Sequence, residues 1–87
     1  MDKEQIEVLN SEIYEQSNYI KGVTLKAEKR IKKTLKYIEE LKDACGVETD
    51  KRVVKQLKKI TESLELVHGL INTVIDDSEE ITEELKE

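Results

Sequence analysis

The chain has 87 residues, a formal net charge of −5, 40 % charged residues, no Pro, Trp or Phe and only three Gly. This length allows one domain, residues 1–87, whose core must be aliphatic because Tyr14, Tyr19 and Tyr37 are the only aromatics. No stretch approaches the roughly 18 apolar residues of a membrane span, and MDKEQIEVLNSE carries no apolar targeting run, so a soluble, cytoplasmic protein is expected.

The first element is a long helix, about residues 3–45. At 100° per residue, Ile6, Leu9, Ile13, Ile20, Thr24, Ala27, Ile31, Leu35, Ile38 and Cys45 fall on one stripe. Gly22 lies off it, so the pattern requires no break there, although a glycine in a helix interior favours a kink. Val23, Tyr37 and Leu41 form a second apolar flank. On the far side sits KAEKRIKKTLK, residues 26–36, dense in base within an acidic protein. Lys26, Lys29, Lys32, Lys33 and Lys36 are candidates for an anion-binding stripe, with RNA or a small nucleotide as the ligand class. The plainer reading is a solvated helix back, partly neutralised by Glu28 and, across the hairpin, by Glu62 and Glu65.

The stripe stops at DACGVETD. Gly46 suits the left-handed residue that closes a helix, and Thr49 or Asp50 offers an N-cap oxygen for the next. The turn is therefore set at residues 46–49 and the second helix at about 50–85. There, Val53, Leu57, Ile60, Leu64, Val67, Ile71, Val74, Ser78, Ile81 and Leu85 alternate steps of four and three, an unbroken heptad seam. Two such helices fold back as an antiparallel hairpin, with facing residue numbers adding to about 95.

The fold class expected is all-α, a helical hairpin that dimerises into a four-helix bundle. The reason is width. Leu66 and Leu70 extend the apolar arc of helix 2 beyond its seam, and Ile75 widens its other edge. The interface expected is Leu64, Leu66, Val67, Leu70, Ile71 and Val74 of helix 2 with Val23, Tyr37 and Leu41 of helix 1. Charge sets the orientation. Residues 1–20 carry −4, residues 21–59 carry +7 and residues 60–87 carry −8. Two hairpins therefore pair best with their turns at opposite ends. The end of helix 2, DDSEEITEELKE, repels itself at i,i+4 spacing and is expected to fray unless something cationic lies beside it.

Chemistry-bearing residues are few. His68 is the only histidine and VHGLINTV gives it no acidic or basic neighbour, so it reads as a boundary residue. Cys45 reads as a small buried apolar residue near the turn. Tyr19, Lys21, Thr24 and Lys26 are the candidates for a small polar notch near Gly22. One His and one Cys far apart make no metal site, and no cofactor or catalytic motif is present. The function expected is a non-enzymatic protein–protein interaction or regulatory module, a homodimer with a further protein partner.

Overall fold

The computed structural model describes residues 1–86. The described residues form two helices, α1 (Lys3–Cys45) and α2 (Lys51–Lys86), packed side by side as a hairpin of 64 × 17 × 16 Å. The long dimension is that of α1 alone, whose 43 residues rise about 1.5 Å each. α1 runs unbroken through Gly22. α2 stays helical to Lys86, whose ammonium lies 3.6 Å from Glu83, so the acidic end does not fray within the described residues.

Both helix starts are capped by aspartate. Asp2 accepts the Gln5 backbone N–H at 2.9 Å, and the Gln5 side chain accepts the Asp2 N–H at 3.1 Å. This reciprocal capping box satisfies two donors that the helix itself leaves free. Asp50 does the same for α2, accepting the Arg52 N–H at 2.8 Å. Gly46 ends α1 at φ +71°, where a side chain would be strained, and its N–H donates to the Lys42 carbonyl.

The seam between the helices differs from the expectation. On α2 the inward residues are Val54, Leu57, Thr61, Leu64, His68, Ile71, Ile75, Ser78 and Leu85. The expected alternate members, Val53, Ile60, Val67, Val74 and Ile81, are 38–47 % exposed. The first four have been displaced by the residue after each. On α1 the inward residues are Asn10, Ser17, Lys21, Thr24, Ala27, Glu28, Ile31, Leu35 and Ile38, while Ile6, Leu9, Ile13 and Ile20 of the stripe stay exposed. Each helix is thus rotated so that its apolar arc straddles the edge of the contact. Ile75 is the only apolar side chain among the described residues that is buried.

Polar side chains lock the open end. Ser78 is 2 % exposed and its hydroxyl donates to Asn10 Oδ1 at 2.8 Å. Asn10 Nδ2 donates to the Ser78 carbonyl at 3.1 Å and to Thr82 Oγ1 at 3.0 Å. These bonds fix the register, with facing numbers adding to 88–92 rather than about 95. The cause is at the turn. α1 overshoots the start of α2, and residues 46–50 return along it, where the Glu48 carboxylate sits 3.2 Å from Lys42 Nζ.

Candidate interaction face

Naming the seam positions a and d places Asn10, Ser17, Thr24, Ile31 and Ile38 of α1 at d, with Lys21, Glu28 and Leu35 at a. On α2, Leu57, Leu64, Ile71, Ser78 and Leu85 are d, and Val54, Thr61, His68 and Ile75 are a. The g position flanks d. It holds Ile6, Ile13, Ile20, Ala27, Thr34 and Leu41 on α1, and Val53, Ile60, Val67, Val74 and Ile81 on α2. Antiparallel helices are related by an approximate two-fold axis perpendicular to the hairpin plane. That axis carries g of one helix onto g of the other on the same side. Both apolar rows therefore pave one face of the rod.

Exposure follows this geometry. The g residues Ile13 and Ile60 are 49 % and 46 % exposed, whereas Leu70, one position further out at c, is 60 % exposed. Leu9, Val23 and Tyr37 share the c row with Leu70, and Leu66 lies beyond it. The opposite face, at e, is polar apart from Leu25: Ser11, Asn18, Lys32 and Glu39 of α1, and Lys51, Lys58, Glu65 and Asn72 of α2. The hairpin has one apolar face and one polar face.

The residues expected at an interface therefore separate into groups. Leu64 and Ile71 are spent in the hairpin seam. Val67, Val74, Val23, Leu41 and Leu70 lie on or beside the apolar face. Leu66 and Tyr37 sit at its outer margin, 66 % and 61 % exposed. The sequence reading missed Ile6, Ile13, Ile20, Val53 and Ile60 as part of this surface, because it assigned them to the seam.

The anion-binding candidates Lys26, Lys29, Lys32, Lys33 and Lys36 are all exposed. Lys36 approaches Glu40 at 3.9 Å, and the other four make no ion pair among the described residues. Glu62 and Glu65 form no ion pair with any of them. The notch residues are divided. Thr24 is buried with its hydroxyl donating to the Lys21 carbonyl at 3.0 Å, while Tyr19 and Lys26 point to solvent.

Cys45 is exposed rather than buried, because α1 overhangs the start of α2. Its thiol donates to the Leu41 carbonyl at 3.2 Å. His68 is in the seam itself, with Nε2 buried and unpartnered, as is Oε1 of Glu28. At the open end a groove of about 530 Å³ runs between Glu7, Tyr14, Glu79, Glu83 and Leu85. Among the described residues no cluster of His, Cys, Asp and Glu could hold a metal, and no helix is long and apolar enough to cross a membrane.

Comparison with family models, curated proteins and solved structures returns no match. The functional argument therefore rests on the surface. A single chain exposes on the order of 1,000 Å² of aliphatic area along the g and c rows, beyond the roughly 300–600 Å² patch of a typical monomer.

Proposed function

We propose that this chain is a non-enzymatic protein-interaction module that works through its apolar face. Its first partner is another copy, two hairpins closing into a four-helix bundle. The observation that carries this reading is the pair of g rows, Ile6 to Leu41 and Val53 to Ile81, left open on one side of the rod.

In a four-helix bundle each helix has two neighbours, and its apolar arc points between them, toward the bundle axis. That is the orientation of both arcs here. The seam contacts the sister helix with its a and d residues and leaves the g rows facing the side that a second hairpin would cover. A two-helix rod with one buried aliphatic residue has little to hold it together alone. Covering the face supplies the missing burial, and the assembled module then acts by covering or bridging a protein partner.

The test is sedimentation equilibrium of the wild type and of Val67→Lys/Val74→Lys. The wild type is expected to be dimeric at micromolar concentration, and the variant at least about 100-fold weaker in self-association, as expected when two charges enter a desolvated interface. Lys26→Glu, outside the seam and the g rows, is expected to remain dimeric. A monomeric wild type, or a variant that dimerises normally, would reject the reading.

A further inference from the structure

We infer that the second copy lies antipodally, the turn of each hairpin over the open end of the other. This rests on the self-pairing proposed above and adds its orientation.

The hairpin register brings two acid-free segments face to face. Residues 29–38 of α1 contain Lys29, Arg30, Lys32, Lys33 and Lys36. Residues 51–61 of α2 contain Lys51, Arg52, Lys55, Lys58 and Lys59. With facing numbers near 88–92, one segment lies directly across from the other. About 15 Å of rod thus carries ten bases and no acid. The other end is its inverse. Residues 4–15 contain Glu4, Glu7, Glu12 and Glu15, and residues 76–84 contain Asp76, Asp77, Glu79, Glu80, Glu83 and Glu84, ten acids and no base.

The two belts are centred about 35 Å apart along the rod, several times the screening length of about 8 Å at physiological salt. They cannot neutralise one another within one hairpin. The local ion pairs are exposed and sparse: Arg52 with Asp50 at 3.0 Å and Lys36 with Glu40 at 3.9 Å in or beside the basic belt, and Glu83 with Lys86 at 3.6 Å at the acidic end. Each belt repels itself.

A same-end dimer would set basic belt against basic belt, twenty positive charges around one end of the bundle. The antipodal dimer sets ten bases beside ten acids at both ends. A two-fold axis lying in the apolar face, perpendicular to the helices, stacks α1 on α1 and α2 on α2. With the rods in full overlap, Lys33 comes level with the partner's Glu15, and Arg52 level with the partner's Glu80. A nucleic acid would engage only the basic belt and leave the acidic one unpaired, so a second copy is the occupant that satisfies both. The aliphatic area on offer, on the order of 1,000 Å², matches the roughly 800 Å² per partner of a stable interface.

Cys45 supplies the ruler. It is the only cysteine, it is exposed, and it stands at the turn end of the rod. A nitroxide attached to it is measured by pulsed electron spin resonance, with the mass of the labelled protein taken in parallel. Because the rod is 64 Å long and 17 Å wide, the antipodal dimer places the labels about 60 Å apart and the same-end dimer under about 25 Å. A dimer with the long distance is the expected result. A dimer with the short distance overturns the orientation and leaves self-pairing intact. A monomer without dipolar coupling, alone or with bound oligonucleotide, overturns both. The sign of the salt effect is a second check: raising NaCl from 0.05 to 1 M is expected to weaken the dimer about tenfold, and strengthening would contradict belt-to-belt attraction.

Discussion

The two halves of the rod are held by different means. Toward the open end the seam is made mainly of small polar residues, Asn10, Ser17, Thr24 and Ser78, joined by Ile75, and these are the best-buried side chains among the described residues. Toward the turn it is aliphatic, Ile31, Leu35, Ile38, Val54 and Leu57, and these are only half-buried. A small side chain disappears between two helices, whereas a leucine overlaps the edge of a two-helix contact and stays partly wet until something covers it. The polar half can be completed by the hairpin alone, provided its hydrogen bonds close. The aliphatic half, like the g rows beside it, stays partly exposed in the single hairpin.

The largest effect on this comparison is expected from Asn10→Ala. Asn10 is 6 % exposed, and its amide serves the Ser78 carbonyl, the Ser78 hydroxyl and Thr82 at once. Truncation leaves the buried Ser78 groups without that partner, at a cost of about 2 kcal/mol. Urea unfolding at fixed protein concentration measures it. A loss below a few tenths of a kcal/mol would mean that the polar layer is solvated and that the open end is held by Ile75 instead.

A smaller loss is expected at the other end from Gly46→Ala. No heavy atom lies within 4 Å of the position a new Cβ would take, so the substitution meets no clash. The cost comes from the backbone alone, because φ +71° disfavours any side chain by about 1 kcal/mol. The same unfolding curve reads it. A cost well above that would show that the turn shapes the seam, not merely that it closes α1.

The heptads of α2 and the positions of both helices were legible because periodicity and glycine at the turn leave marks in sequence. The direction of the seam was not. A strip such as Val53, Ile60, Val67, Val74 and Ile81 reports where apolar surface is needed, but not whether the sister helix or a later layer will cover it. Asn10 and Ser17 were invisible for the opposite reason: they are polar, and only their seven-residue spacing with Thr24, Ile31 and Ile38 would have placed them inside. The register also escaped, since five turn residues can return along α1 or arch beyond it. The Asp2–Gln5 box was missed as well, although its mark, an aspartate followed three residues later by glutamine, is present. The exposed apolar face was read in part, through Val67, Val74 and Leu41 on its g rows and Val23, Tyr37, Leu66 and Leu70 at its margin.

The smallest expected effect lies at the start of α2, and pH gives it a sign. The Arg52 guanidinium beside Asp50, and then the Arg52 backbone N–H, hold the Asp50 carboxyl below its ordinary 3.8. A group with a depressed folded pKa binds its proton more readily when unfolded. Its contribution is therefore complete above the ordinary value and is lost as pH falls through the depressed one. Asp50→Ala should unfold at lower urea than the wild type at pH 7, and the gap should narrow as pH falls below the ordinary carboxylate value. Asp50→Asn keeps an oxygen for the Arg52 N–H while removing the charge, so it should fall between the two at pH 7. High salt should narrow the difference between wild type and Asn, because the carboxylate and the guanidinium are both exposed to solvent. If the gap between wild type and Ala persists unchanged at low pH, the carboxylate's charge does not stabilise the start of α2. The turn end would then be held by the return of residues 46–50 along α1.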